Sequence, residues 1–417
     1  MMRILWISHN VPFPPVTGAL VRNYNLFRRI ANRHAVDLLC FNQSALLSSN
    51  KQIELAAAEL RKFAKSVEIV SIPAERHTLP RLLLYLRAVI SKGGYSMNWL
   101  RSREMAQIIT ILVAKGQYDV IHLDTISLAI FVPLFRDYPI VLNHHNVESQ
   151  VMATRCNVEH RLIHRTIYRL ESSRLVDAEQ EYCRLVSCNV AVSEADAAIL
   201  RRLAPQSRVE VCENGCDVQH FTPHEKPAEQ LCTLIFVGNF GWAPNVDAVE
   251  YFFNRIWPVL KVDAPGLRVR VVGAKPPALV SNVASLDSSV IATGFVDDLL
   301  AEYRHADICI CPLRHGGGTK LKLLEAMAVG LPIVTTSVGA EGLDLIHGQH
   351  ALIADDVQDF VQAIKKIRSN PDFAISLGRA ARELAVSRYS WDSLAERLEK
   401  IYELSRAVST LHRQAKS

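Results

Sequence analysis

The sequence lacks the features that would place it in a special class. It has no Cys-x-x-Cys pair, and its nine cysteines are an odd, scattered number. That argues against a zinc site and a disulfide framework and favours a reducing compartment. No apolar run approaches the length of a membrane span. The opening MMRILWISHNVPFPP holds an apolar run too short for a signal peptide and is expected to be a first strand. There is no basic stripe with interleaved aromatics, and a net charge of +5 is mild over 417 residues, so nucleic acid is not an expected partner. No internal repeat or low-complexity tract organises the chain. No Gly-x-Gly-x-x-Gly follows the first strand, which removes the dinucleotide fingerprint.

What is present is an ordinary globular composition, 49% apolar and 21% charged. The length is too great for one ordinary core and implies two domains. Short apolar runs alternate with helical patterns almost throughout. Strands are predicted at Arg3–Ser8, Val36–Phe41, Val67–Ile72, Val120–Leu123, Ile140–Asn143, Asn189–Val192 and Val209–Cys212. The polar segment His220–Gln230 contains two prolines and reads as a linker. Beyond it the alternation restarts at Leu234–Val237, Val269–Val272, Val290–Ala292, Ile308–Cys311 and Ile333–Thr335, with a helix predicted from Pro244 to Ile256. Cys309 and Cys311 alternate in a buried-looking strand and read as core residues. Continuous apolar strands separated by helices predict parallel sheets covered on both faces. The expected fold is therefore α/β, two doubly wound, Rossmann-like units in series, residues 1–219 and 231–388, facing across a cleft. A last amphipathic stretch, Trp391–Leu404, follows the capping Ser390.

The stretch Arg314–Val334, RHGGGTKLKLLEAMAVGLPIV, is the most informative. Gly316, Gly317 and Gly318 open into a helix that carries Glu325 and stops at Gly330 and Pro332. A glycine turn lets backbone approach a ligand closely, and the free N–H groups and dipole of a helix start favour an anion. Glu325 can accept hydrogen bonds from a diol such as a ribose. Lys320 and Lys322 lie at the helix start, where lysine opposes the dipole, so an anion is expected to compensate. Lys322 is also three residues before Glu325, so a plain intrahelical ion pair competes with a ligand role. Lys320 lacks that alternative and is the first choice for a phosphate.

Other candidates lie at strand ends. His144 and His145 follow Ile140–Asn143, where a histidine can act by hydrogen bond or as a general base; a structural histidine is the plainer alternative. Metal binding by the adjacent pair is disfavoured, because neighbours on an extended chain point apart. Gly18 opens a helix after the first strand, either to bring N–H groups to a ligand or merely to make a tight turn. Asn239 occupies the matching place in the second unit, as turn residue or ligand contact. Residues 75–105 mix Arg76, Arg81, Arg87, Lys92, Arg101 and Arg103 with leucines and aromatics. That segment reads either as a surface helix packing its leucines inward or as a contact with an anionic membrane.

Taken together, SHNVPFPPVTGALVR, LNHHNVES, AVSEADAAIL, VCENGCDVQHF, VGNFGWAPNVDAVEYF, TGFVDDL and GGGTKLKLLEAMAVGLPIV resemble the family-four glycosyltransferases, retaining enzymes of the GT-B fold. The resemblance covers essentially the whole chain. It implies a nucleotide diphosphate sugar donor bound mainly by the C-terminal domain, a glycan or lipid-linked acceptor bound mainly by the N-terminal domain, and neither metal nor cofactor. It implies that the C-terminal helix, 389–417, crosses back to the first domain. Glu325 matches the second glutamate of the family's Glu-x7-Glu motif and implies contact with the donor ribose. His145 matches the family histidine near the donor sugar, and Gly18 the glycine loop near the donor phosphates. Thr319 and Lys320 match the helix start beneath the diphosphate. Phe295 and Val296 fall where backbone meets the nucleobase. Two departures stand out. The first motif glutamate is replaced by Gly317, and the Arg and Lys after the first strand of the second domain are missing, with Asn239 near the usual Arg. A branch with Gly-Gly-Gly-Thr-Lys/Arg carries the same pattern. The activity so implied is transfer of a sugar with retention in bacterial surface polysaccharide synthesis, in the cytoplasm at the inner face of the plasma membrane. Gly317 leaves a catalytically silent nucleotide-sugar-binding scaffold as the alternative. An epimerase or a phosphorylase would share the architecture, but no pyridoxal lysine site is identifiable for the latter.

Overall fold

The computed structural model describes residues 1–76, 84, 87–88, 91, 93–159, 161–224, 233–316 and 318–414. The chain divides into two compact units, Met1–Glu213 with Leu394–Ser417, and Asn214–Ser393. The break precedes the predicted linker, and there is a physical reason. Cys216 N–H donates to the Tyr389 carbonyl, and the Arg382 guanidinium takes the carbonyls of Val218 (2.8 Å), Phe221 (2.6 Å) and Ala328. Residues 216–221 are thus tied into the second unit. Of the predicted linker, residues 225–230 lie outside the described residues.

In the first unit, seven strands form one parallel sheet in the order β3-β2-β1-β4-β5-β6-β7. They are β1 (Arg3–Ser8), β2 (Ala35–Asn42), β3 (Ser66–Ser71), β4 (Val120–Leu123), β5 (Ile140–Asn143), β6 (Cys188–Ala191) and β7 (Val209–Val211). The run-like sequences VIHL, IVLN and CNVA are buried at every position, as strands covered on both faces must be. β1 pairs with both β2 and β4, Ile4 lying opposite Val36 and Val120. Strand order therefore reverses between β1 and β4. The Gly18–Arg33 helix starts at Thr17, whose side chain accepts from the Leu20 N–H. The final helix, Trp391–Gln414, extends past the amphipathic stretch Trp391–Leu404, within the expected 389–417, and belongs to the first unit from Leu394 on. Tyr402 on it hydrogen-bonds His122 of β4 at 2.8 Å, and Glu399 meets Arg33 and His34, each at 2.9 Å.

In the second unit, six strands form a parallel sheet in the order β10-β9-β8-β11-β12-β13. They are β8 (Thr233–Val237), β9 (Arg268–Val272), β10 (Val290–Gly294), β11 (Ile308–Cys311), β12 (Ile333–Thr335) and β13 (Leu352–Ile353). Here the order reverses between β8 and β11. The two-residue β13 was not predicted, being too short to carry a periodic signal. The predicted Pro244–Ile256 helix is two pieces, an α-helix over Ala243–Tyr251 and a π turn over Phe252–Ile256. Pro258 follows at once; it has no N–H for the ladder, and its ring crowds the carbonyl four residues back, so the helix widens ahead of it. Cys309 and Cys311 are buried in β11, and the eight described cysteines are all free thiols. The helix that follows the glycine loop, Leu321–Val329, buries Leu323, Leu324 and Met327 completely. Each such side chain contributes about 1.5–3 kcal/mol of burial and sets where the helix start lies. Gly330 ends it in the left-handed region, φ 79°. Among the described residues, no helix is long and apolar enough to cross a membrane.

Candidate active site

In open parallel sheets, ligands bind beyond the carboxyl ends of the strands, where the order reverses. In the first unit, β1, β4 and β5 end beside one another at that point, and each is followed at once by an ionisable residue. His9 follows Ser8, Asp124 follows Leu123, and His144 and His145 follow Asn143. Asp124 is buried. Its Oδ1 lies 3.2 Å from His145 Nε2 and its Oδ2 3.4 Å from His9 Nδ1. Asn23 Nδ2 donates to Oδ2 at 2.7 Å and Asn143 Nδ2 to Oδ1 at 3.3 Å. Burial alone would push this carboxyl up. The neighbouring His145 charge, with the His122 and His9 imidazoles beside it, outweighs this and holds Asp124 well below the usual carboxylate range. Asp124 is therefore an anion that orients two imidazoles.

His144 and His145 take opposite parts, as alternation along an extended segment requires. His144 packs inward against Asn189 Oδ1 at 3.1 Å, and burial pushes its pKa down to about 4. It is the structural histidine of the pair. His145 is the one that joins Asp124. The donor atoms of His9, Asp124 and His145 all lie within 4.8 Å of one another, a set of ligand types that a divalent transition metal accepts. Asn23 and Asn143 already hydrogen-bond Asp124, so its charge is compensated within the protein.

In the second unit the chemistry gathers after β8 and β11. The loop after β11 is held at its start by Arg314, which pairs with Asp247 and lies over the Tyr251 ring at 4.6 Å. Gly316 has φ 113°, and a Cβ there would come within 2.9 Å of Trp242, so a bare backbone is required. Gly318 is also left-handed, φ 75°. Lys320 is the cap residue of the Leu321–Val329 helix, just before its first turn rather than within it. Its ammonium turns back onto the loop, donating to the carbonyls of Gly316 at 2.9 Å and Gly318 at 2.7 Å. No side chain caps this helix start; the Leu323 N–H already donates to the Lys320 carbonyl at 2.9 Å, which leaves the N–H groups of Leu321 and Lys322 toward a ligand. Lys320 shapes the loop and adds positive charge behind it.

Lys322 does not make the intrahelical ion pair with Glu325. Its Nζ donates to Asn245 Oδ1 at 2.6 Å and lies 4.3 Å from the centre of the Phe236 ring. Burial lowers its pKa, opposed by Cys311, Cys309 and Glu325. Asn245 is itself buried and donates to the Asn239 carbonyl at 2.9 Å, so it links the loop after β8 to the helix after β11. The Asn239 side chain accepts from the Gly241 N–H at 2.9 Å, which is the turn role. Glu325 is half-buried, and Tyr303 donates to its Oε2 at 3.0 Å. Burial pushes its pKa up to about 7, against the Tyr303 hydrogen bond and the Lys322 charge. Among the described residues Oε1 has no hydrogen-bond partner. Phe295, directly after β10, is 74% exposed, with Val296 half-buried beside it.

The predicted residues thus fall into two groups. His145 and Gly18 are in the first unit, where Gly18 is exposed at its helix start. Asn239, Phe295, Val296, Gly316, Gly318, Thr319, Lys320, Lys322 and Glu325 are in the second; Gly317 lies outside the described residues. Sequence reasoning missed His9, Asp124, Asn245 and Tyr303. His9 and Asp124 carried one usable signal, since each directly follows an apolar strand.

A family model for Glycosyltransferase Family 4 matches residues 16–220, and one for Glycosyl transferases group 1 matches residues 232–370. Two doubly wound units carrying these loops define a GT-B fold. The chain belongs to the family-four glycosyltransferases. An uncharacterized 44.6 kDa protein in the cps region of Klebsiella pneumoniae is 27% identical over 160 residues, 37% of this chain and 41% of that one. The chain spans between 41% and 65% of the length of the first curated relatives it matches. Sucrose-phosphate synthase from Thermosynechococcus elongatus superposes with a TM-score of 0.67 at 17% identity, over 98% of this chain and 100% of that one. Anabaena HepE in complex with UDP gives 0.64 at 16%, over 96% and 100%. At these identities the structural likeness concerns the fold alone.

Proposed function

We propose that this chain transfers a sugar from a nucleotide diphosphate sugar to a glycan or lipid-linked acceptor, with retention, in bacterial surface polysaccharide synthesis. The observation that carries the reading is the uncapped helix start after β11, with the Gly316–Lys320 loop before it and the half-buried Glu325 within it. Phosphate charge meets the N–H groups there, with Lys320 adding positive charge from behind the loop, and the open oxygen of Glu325 accepts from a ribose hydroxyl. The sugar–phosphate bond breaks and the acceptor oxygen attacks from the same face, its proton passing to the departing phosphate oxygen. His145, oriented by Asp124, is the residue we assign to the sugar, as the family resemblance implies. No metal or cofactor takes part in this scheme. The relative from the cps region of Klebsiella pneumoniae supports the polysaccharide role.

On the acceptor side, Arg87, Arg101 and Arg103 meet Ile130, Phe131 and Leu134 around a pocket of about 430 Å³. Charge beside an apolar wall suits an acceptor that joins phosphate to a lipid chain. Contact of residues 75–105 with anionic lipid, and a place at the cytoplasmic face of the membrane, belong to the same proposal. Arg81, Leu82, Leu83, Tyr85, Leu86 and Lys92 of that segment lie outside the described residues. The test is a thermal-shift panel of UDP-, GDP-, ADP- and dTDP-sugars on the native chain and on Glu325→Ala. One donor should raise the melting temperature, and the variant should lose the effect; saturation at ~100 times Kd corresponds to about 2.7 kcal/mol. No shift with any donor counts against the reading. Donor binding without product on any acceptor would favour the silent scaffold, to which Gly317 in place of the motif acid points.

A further inference from the structure

Two consecutive helices, Glu148–Val158 and Leu162–Leu185, form a hairpin in the first unit. Its turn end carries apolar side chains in solvent. Val158, Leu162, Ile163, Ile167 and Leu170 are 68%, 77%, 76%, 55% and 39% exposed. The second helix is tied to its hairpin partner where the Cys156 thiol donates to the Arg165 carbonyl at 3.4 Å, and to the rest of the unit at Glu171. There the carboxylate accepts from the N–H groups of Tyr95 at 2.7 Å and Ser96 at 2.8 Å, and from the Ser96 hydroxyl at 2.7 Å. The buried residues of that helix are Leu175, Ala178, Glu179 and Cys183, all past this point. Nothing before it is buried.

At helical spacing, Leu162, Ile163, Thr166, Ile167 and Leu170 share one face. Arg161, Arg165 and Arg169 recur every fourth residue along the edge of that face and are exposed. They pair with no carboxylate among the described residues. From 161 to 170 there is no acidic residue; of the flanking acids, Glu171 is taken by Tyr95 and Ser96, and Glu159 accepts from the Arg161 backbone N–H at 2.9 Å and faces His164 at 3.5 Å. Exposed contiguous apolar surface rimmed by unpaired cations marks an interaction site. A two-fold contact with a second copy would set this arginine row against itself. An anionic lipid surface complements both features.

We propose that the turn end of this hairpin docks on an anionic membrane, its apolar face entering the headgroup–acyl boundary and Arg161, Arg165 and Arg169 meeting lipid phosphates. The inference needs no donor and stands apart from the transfer reading. The full chain is sedimented with vesicles of phosphatidylcholine alone and of phosphatidylcholine with phosphatidylglycerol. Binding is expected to the second and not the first, weakening as salt rises. Ile163→Asp with Ile167→Asp should weaken binding at least roughly tenfold, with an unchanged thermal midpoint because both sites are exposed. Arg165→Glu with Arg169→Glu should abolish the preference for the anionic lipid and supplies a second variant should the first fail to fold. Donor-induced thermal shifts should be the same in all forms. No binding of the native chain would overturn the proposal. So would binding unaffected by both variants, which would assign the contact to another surface such as residues 75–105. A native dimer converted to monomer by the isoleucine variant would also overturn it, making the face a contact between copies.

Discussion

The two units use the same strand order as far as the sixth strand and place opposite kinds of chemistry at its reversal. In the first, side chains do the work: a buried carboxylate gathers His9 and His145 from separate strand ends. In the second, backbone does: an uncapped helix start and two left-handed glycines, with Lys320 turned back onto the carbonyls behind them. A shared scaffold thus fixes where a site lies, and the loops decide whether it handles protons or anions. On the transfer reading proposed above, the first unit meets the acceptor hydroxyl and the second the fixed charge of a diphosphate.

The sharpest way to break that contrast is Lys320→Ala. It removes the tie that holds the loop and the positive charge behind it. Turnover should fall on the order of 10²–10³-fold, the range for losing a preorganised electrostatic group. The melting temperature should change much less, and near-normal turnover would refute the loop's role. In the first unit, His145→Ala should lower turnover roughly 10²-fold, with donor-induced thermal shift retained. Asp124→Asn should cost less activity but show itself in acid stability. The folded carboxyl titrates below its unfolded value, so its contribution is present above about pH 4 and is lost as pH falls through the folded pKa. Urea melts at pH 2–5 should therefore be flatter with pH in the asparagine variant.

Glu325 gives a smaller effect of opposite sign. Its folded pKa is raised from 4.5 to about 7, so the folded state holds the proton more tightly. Stability attributable to this group is full below its unfolded value and declines as pH rises toward 7, while donor affinity should rise over the same window as the acceptor carboxylate forms. Glu325→Gln should abolish both trends; a donor Kd that still tightens with pH would exclude Glu325 as the titrating group. Last comes Phe295→Ala. The side chain is 74% exposed, and only backbone is expected to meet the base, so stability should move by no more than about 0.5 kcal/mol and donor affinity by less than threefold. A larger loss by calorimetry would mean that the ring itself stacks on the base.

Much of this was legible in the chain. Strands β1, β4, β5, β11 and β12 were predicted to the residue, because runs such as VIHL and IVLN have one physical solution in a sheet covered on both faces. The helix after the glycine loop and its stop at Gly330 were readable from local backbone preference. The domain break was not, because Arg382, over 150 residues away in sequence, binds the carbonyls of Val218 and Phe221. Nor was the π turn at Phe252–Ile256, which only the ladder around Pro258 reveals.

The sequence by itself determined the two doubly wound units, the glycine loop before its helix and the acid that follows it, since those depend on local spacing and conformational preference. Only the tertiary structure decided the partners. It sends Lys322 to Asn245 rather than to Glu325, folds Lys320 onto its own loop, and separates His144 from His145, sending one into the core and the other to Asp124. The reason is that a side chain's partner depends on which distant segments arrive beside it. His9, Asp124 and His145 are neighbours because three parallel strands end together, although more than a hundred residues of chain separate the first from the second.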